Sequence, residues 1–261
     1  MPRSGSELIQ TVLHQNPLIY GSTTSPLLEY QFAARGNYNL PEVKSQNPQI
    51  MQKAFLSMCK SMAEGYYAAI TDRPIIIDKN RGWSHYFEWI EQWNPNSKMI
   101  CVVRDIRSII ASMERIYRKT RHLPDGPDNP AQLRGMTVDQ RAEYWLNSQP
   151  IGLALQRTLD CFQRNLASKI HFVRYEDLCV SPQDTFDKIY DFIGEITFDH
   201  DFKNIVKQVE EDDGHFGPYG SHSVAKTIRP HKPSDWSDVL PKEVAQRVAQ
   251  HVAWYQNQFN Y

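Results

Sequence analysis

Four short apolar runs, each separated from the next by stretches of helical spacing, constrain this chain more than any other feature of its sequence. Leu18–Tyr20, Pro74–Ile77, Met99–Val103 and Lys169–Tyr175 read as strands. PIIID, MICVVRD and KIHFVRY have the continuous β-branched character of strands covered on both faces. Helical periodicity fills the intervals at Ser6–His14, Pro48–Ile70, Trp83–Trp93, Ile106–Tyr117, Thr137–Arg164, Pro182–Ile193 and Pro241–Phe259. The clearest is the stripe Ile106, Ile109, Ile110, Met113, Ile116, Tyr117, which puts one apolar face on a helix. Strands alternating with helices predict βαβ units, hence an α/β fold with a parallel sheet between two helical layers.

No repeat or linker divides the 261 residues, so one domain spanning 1–261 is expected. Two stretches interrupt the alternation: His122–Met136 reads as a surface excursion, and Asp212–Trp236, rich in Gly and Pro, as a long irregular loop. The 29 Lys and Arg against 30 Asp and Glu leave a net charge of −1, so no nucleic-acid partner is expected and any anion site must be local. No apolar run approaches the roughly 18 residues of a membrane span. SGSELIQTVLHQN is too polar for a signal-peptide core. The dispersed Cys59, Cys101, Cys161 and Cys179 suit small buried thiols in a reducing compartment. A cytoplasmic protein is the expectation; its oligomeric state is not legible.

Five segments carry chemistry. PRSGSE at Pro2–Glu7 opens a helix, where free backbone N–H groups and the positive end of the dipole bind anions. Arg3 adds a guanidinium and Ser4 and Ser6 add hydroxyls, although a capping serine explains the same letters. No Gly-Lys-Ser/Thr follows, which disfavours a magnesium–ATP enzyme such as a P-loop kinase. In VVRDIRSIIASM, Arg104 ends a strand, and Ser112 stands off the apolar stripe of the next helix, so the two can share one phosphate. Lys79 follows the strand of IIIDKNRGW, at the sheet edge where a cation can steady a developing oxyanion. Tyr175 ends the strand of VRYEDL, and SHSVAKTIRPHKPSDW gathers Lys226, Arg229, His231 and Lys232. Each of these has an ordinary alternative as a surface or turn residue.

Taken in order from Pro2 to about Leu240, the five segments resemble the P-loop sulfotransferase family, most closely its tyrosylprotein and bacterial-type branch, through PRSG, HQNP, VRYEDL and SP. The resemblance implies a three-layer α-β-α fold like that of P-loop nucleotide hydrolases. It implies transfer of a sulfuryl group from 3′-phosphoadenosine 5′-phosphosulfate to a hydroxyl or amine, leaving adenosine 3′,5′-bisphosphate, with no metal. By position, Arg3, Ser4, Gly5 and Ser6 would hold the 5′-phosphosulfate, and Arg104 and Ser112 the 3′-phosphate. Tyr175 would lie near the nucleotide, Ser223 near the transferring sulfate, and Arg229 and Lys232 would clamp phosphates. Lys79 would stabilise the leaving oxygen. The acceptor stays open among small molecules, sugars and tyrosyl groups.

Two positions depart from the family pattern. The branch places a catalytic glutamate directly after the glycine corresponding to Gly21, where this chain has Ser22 and Thr23. A hydroxyl cannot serve as base near neutral pH, which leaves Glu29 and His85 as candidate bases. The family also hangs its anion loop from a preceding strand, whereas Met1 directly precedes PRSGS here. Either the chain begins further upstream or that first strand is missing. Both departures keep a non-catalytic nucleotide-binding protein as the alternative.

Overall fold

The computed structural model describes residues 1–123, 131–209, 211–212, 215, 224–230 and 235–261. In chain order the elements are α1 (Ser6–Leu13), β1 (Ile19–Thr24), α2 (Leu27–Gly36), α3 (Pro41–Lys44), α4 (Pro48–Ala68), β2 (Ile75–Lys79), α5 (Phe87–Trp93) and β3 (Met99–Val103). There follow α6 (Ile106–Thr120), α7 (Val138–Asn147), α8 (Ile151–Gln163), β4 (Ile170–Arg174), α9 (Tyr175–Val180), α10 (Pro182–Ile193), α11 (Lys242–His251) and α12 (Ala253–Phe259). The expected α/β class holds. All strand pairing is parallel: β1 with β2 from Ile19 opposite Ile75, and β3 with β4 from Met99 opposite Ile170.

The strand period of two separates the layers. Ile75, Ile77, Ile100, Val102 and Val173 pack into a cluster with α1 and α10. Their neighbours Ile76, Met99, Cys101, Ile170 and Phe172 turn the other way, into a cluster with α2, α4 and α5. A third cluster, led by the fully buried Ile109, Ile110 and Met113 of α6, joins α6 to α7, α8, α11 and α12. Both faces of the strands are thus covered by helices, as continuous apolar runs require.

Between β2 and β3 there is no ladder. A cavity of about 720 Å³ separates them, lined by every residue of β2, by Met99–Val102 of β3 and by Ile9 and Leu13 of α1. The isoleucines of β2 are accordingly only half-buried. At one end the Met1 α-ammonium donates to Val102 O at 2.9 Å, and burial lowers its pKa. The space between β2 and β3 is thus a slot, and the two strand edges that face it are not paired with each other.

Local chemistry corrects several helix boundaries. Thr137–Arg164 is two helices, α7 and α8, because Pro150 stands at the break and cannot continue α7. Trp83–Trp93 begins as a 3₁₀ turn, Trp83–Tyr86, before α5. Pro241–Phe259 is likewise divided, at Val252. Tyr175 does not end β4 but opens α9, and α2 has no counterpart in the sequence reading. The cysteines are free, with Cys59, Cys161 and Cys179 buried and Cys101 half-buried. Among the described residues no helix is long and apolar enough to cross a membrane.

Candidate active site

All four strands run in one direction within their pairs, and the residues marked by their chemistry lie at the carboxyl ends, where α/β sheets bind ligands. Lys79 ends β2, Arg104 follows β3 and Tyr175 follows β4. The loop before α1 meets them. Arg3 and Gly5 both take left-handed backbone conformations, with φ of 52° and 89°. Gly5 is the N-cap of α1 and lies flat against Tyr175: a Cβ there would stand 2.5 Å from the ring. Burial pushes the Tyr175 phenol up to about 12, so it stays neutral, and the Arg104 guanidinium stacks 4.4 Å above the same ring.

Arg3 bridges Arg104 and Ser112. Arg3 Nε donates to Ser112 Oγ at 3.4 Å, and Arg104 Nη1 donates to Arg3 O at 3.0 Å, which joins the anion loop to the start of α6. Ser4 is fully buried and donates to Met1 O at 2.7 Å, so it braces the loop from within, while Ser6 begins α1. Tyr255 fixes Arg104 from behind: its hydroxyl accepts from Arg104 N at 3.2 Å and donates to Arg104 O at 3.0 Å.

Two cations of this cluster are held by carboxylates. Arg104 Nη2 lies 3.3 Å from Asp235 Oδ2, and the same carboxyl accepts from Ser108 Oγ at 2.6 Å and lies 3.7 Å from Arg115 Nη1. Lys79 is ion-paired to Glu7 in the first turn of α1. Glu7 Oε1 lies 3.2 Å from Lys207 Nζ, and Lys207 reaches Glu211 Oε2 at 3.4 Å. Lys79, Glu7, Lys207 and Glu211 thus form a row of alternating charge along the mouth of the site. Among the described residues no group of three or more His, Cys, Asp or Glu is arranged to hold a metal ion.

Sequence reasoning missed Glu7, Ser108, Arg115, Lys207, Glu211 and Asp235. Ser108 and Arg115 were within reach, because positions 104, 108, 112 and 115 recur every three or four residues along one helical face. Nothing local marks Asp235 or Glu211, which arrive from far along the chain.

The two candidate bases stand elsewhere. Glu29 is exposed on α2 and accepts from Asn80 Nδ2 at 3.2 Å. His85 Nδ1 faces Asp160 Oδ2 of α8 at 3.1 Å, beside Arg164. Neither contacts Lys79. Arg229 is exposed and forms no hydrogen bond or ion pair among the described residues, which leaves it outside the cluster. Ser223 and Lys232 lie outside the described residues.

A sequence model of the sulfotransferase family matches residues 1–199, which include the anion loop, Lys79, the Arg104–Ser112 pair and Tyr175. The chain belongs to the sulfotransferase family. No curated protein matches it. Among solved structures, the sulfotransferase domain from the Synechococcus PCC 7002 olefin synthase is 18% identical, with 97% of this chain and 91% of that one covered at a TM-score of 0.55. The sulfotransferase domain from the curacin biosynthetic pathway is also 18% identical, with 97% and 94% covered at a TM-score of 0.50. These likenesses show a shared fold. This sulfotransferase is therefore an enzyme of sulfuryl transfer, in which Lys79 is paired to Glu7 of the first turn of α1 and Arg104 donates to Arg3 O of the loop before it.

Proposed function

We propose that this sulfotransferase draws its sulfuryl group from 3′-phosphoadenosine 5′-phosphosulfate and passes it to a hydroxyl or amine of a small-molecule, sugar or tyrosyl acceptor, within a unit comprising residues 1–261. The supporting observation is the convergence of Arg3, Gly5, Arg104, Ser112 and Tyr175 at one helix N-terminus, with Lys79 tied to that helix through Glu7. The division of labour follows from position. The α1 N-terminus and Arg3 take the 5′-phosphosulfate through backbone N–H groups and a guanidinium. Arg104 and Ser112 take the 3′-phosphate, with Ser108 and Arg115 on the same face of α6. Tyr175 offers a flat wall to the nucleotide.

Sulfuryl transfer resembles phosphoryl transfer in needing alignment and charge stabilisation more than covalent help from the protein. In this reading Lys79 neutralises the bridging oxygen as its bond to sulfur breaks, once its pairing with Glu7 is exchanged for the donor. The test is donor binding followed by turnover. Adenosine 3′,5′-bisphosphate should raise the melting temperature through its binding to the folded state. Arg104→Ala should remove most of that shift, and isotopically labelled donor should yield a labelled acceptor. Equal stabilisation of both proteins would overturn the 3′-phosphate assignment. Binding without transfer to any acceptor class would overturn catalysis.

A further inference from the structure

An acceptor hydroxyl must lose its proton as the sulfuryl group arrives, and the segment expected to supply the base holds only Ser22 and Thr23. The Ser22 hydroxyl does other work. Ser22 Oγ accepts from Lys79 N at 2.8 Å and donates to Thr23 O at 2.7 Å, so it stitches the end of β1 to the end of β2.

A carboxylate nevertheless stands at this strand end, delivered from more than 180 residues along the chain. Glu211 Oε1 accepts from Thr24 N, the last residue of β1, at 3.4 Å. Its other oxygen faces Lys207 Nζ at 3.4 Å, and the side chain is only 7% exposed. Lys207, Gln208 and Val209 line a narrow cleft with Gly21, Ser22 and Thr23, so the segment that carries Glu211 is packed on the strand end where the base is wanting.

The other carboxylates near the site have different duties. Glu7 is the partner of Lys79, the cation assigned to the leaving oxygen, so it serves that side of the transfer rather than the acceptor. Asp235 lies on the α6 side with Arg104, Ser108 and Arg115. His14 also borders Gly21, but its Nδ1 is used on Gly21 O at 3.3 Å and burial lowers its pKa.

We infer that Glu211 is the general base of this sulfotransferase, an assignment that rests on the sulfuryl-transfer reading given above. Lys207 then orients the carboxylate and links it to the Glu7–Lys79 pair. In the step itself the acceptor oxygen forms a bond to sulfur with its lone pair, and its proton passes to a Glu211 carboxylate oxygen. The bond between sulfur and the bridging oxygen breaks, and that electron pair leaves on the 5′-phosphate beside Lys79. The proton on Glu211 returns to solvent when the product departs.

The test uses acceptors that differ in their need for a base. Wild type and Glu211→Gln are assayed for transfer from 3′-phosphoadenosine 5′-phosphosulfate to 4-methylphenol, which titrates near the tyrosine value of about 10, and to 4-nitrophenol, which is largely ionised at mildly alkaline pH. Glu211→Gln should lose on the order of 10²-fold or more in kcat with 4-methylphenol, and less than about threefold with 4-nitrophenol. Its affinity for adenosine 3′,5′-bisphosphate should be unchanged. Equal losses with both phenols, or no loss, would overturn the assignment. Should Glu211→Gln fail to fold, Glu211→Asp, which withdraws the carboxylate by one methylene, must show the same selectivity between phenols. A wild type that binds the bisphosphate but transfers to no phenol, alcohol, sugar or amine acceptor would defeat the catalytic reading as a whole, which separates that failure from a misassigned base.

Discussion

The Asp235 carboxylate sits on the Arg104 guanidinium at 3.3 Å, in the position where the 3′-phosphate is proposed to bind. It takes a hydrogen bond from Ser108 and faces Arg115 as well, so one side chain gathers the same kinds of donor that a phosphate uses. Donor binding must then displace or share with a negative charge. Asp235→Asn keeps the shape and removes the charge. Its affinity for adenosine 3′,5′-bisphosphate should rise on the order of 10-fold, as one relieved charge repulsion of about 1.4 kcal/mol implies. Titration calorimetry decides; weaker binding would make Asp235 a positioning group for Arg104 instead.

Gly5 allows a sharp test of the loop. Its φ of 89° disfavours any side chain, and a Cβ would meet the Tyr175 ring at 2.5 Å. Gly5→Ala should therefore cost about 2 kcal/mol or more of stability and weaken bisphosphate binding with it, since Tyr175 and Arg104 share that stack. Gly65 is the control. It lies in α4 with nothing within 4 Å of a built Cβ, so Gly65→Ala should stabilise by about 0.5–1 kcal/mol. Thermal unfolding of the two variants should move in opposite directions.

The parts of this molecule that were legible in the sequence are those that local chemistry fixes. The stripe from Ile106 to Tyr117 became α6 with all of its residues buried except Ile116, which is half-buried, because 3.6-residue spacing gathers them on one face. β3 matches its expected bounds because MICVV is apolar on both faces. The anion loop meets Arg104 and Ser112 because the loop precedes α1, Arg104 follows β3, and Ser112 lies two turns into α6 within reach of Arg3. Glu29 and His85, the candidate bases, show the limit of such reading. Nearness in sequence to Ser22 or Lys79 says nothing of direction, and their bonds to Asn80 and Asp160 turn them aside. Glu211 and Asp235 were illegible because only tertiary packing brings them to the site.

Lys79 carries a prediction about the chemical step. Its ammonium is 13% exposed and paired to Glu7, a water-poor setting in which a cation acts strongly on a developing oxyanion. Lys79→Ala should lower kcat on the order of 10²-fold or more, with a smaller change in donor affinity, because the leaving oxygen gains charge only as the bond breaks. Steady-state kinetics with separate donor and acceptor titrations separates the two. Normal turnover would reduce Lys79 to a partner of Glu7.

Acid stability should depend on His200. The ring is 5% exposed, faces the Tyr190 hydroxyl at 3.1 Å and packs among Phe186, Phe198 and Phe202. Burial lowers its pKa to about 4 from the usual 6.5. The unfolded chain therefore binds the extra proton first. The stability contributed is complete above about pH 6.5 and drains away as pH falls toward about 4. Over that window the shift corresponds to about 3 kcal/mol. His200→Phe should flatten the acid limb of a stability–pH profile by about that amount, read by urea unfolding at several pH values. An unchanged limb would show that other groups govern it.

The slot between β2 and β3 gives the last prediction. The two edges lie on opposite sides of a cavity of about 720 Å³, and the ladder each would offer to a parallel strand is unused among the described residues. The Met1 nitrogen already makes one such bond, to Val102 O, but as a buried ammonium it carries a charge that burial opposes. Converted to a peptide nitrogen, the same atom keeps the bond and loses the charge. Val102 back to Met99 is four positions, so a strand of roughly five residues spans the slot with one to spare at about 3.3 Å per residue. Five apolar β-branched residues fused ahead of Met1 should gain about 1.5–3 kcal/mol each on burial, offset by about 1–2 kcal/mol each of backbone ordering. The net of a few kcal/mol should raise Tm by ~10 °C and protect the slot-facing amides of β2 and β3 from hydrogen exchange. A Gly-Ser extension of equal length should do neither, because it neutralises the charge yet brings no apolar surface. If both extensions stabilise equally, the gain comes from the lost ammonium charge alone and the slot does not select a strand.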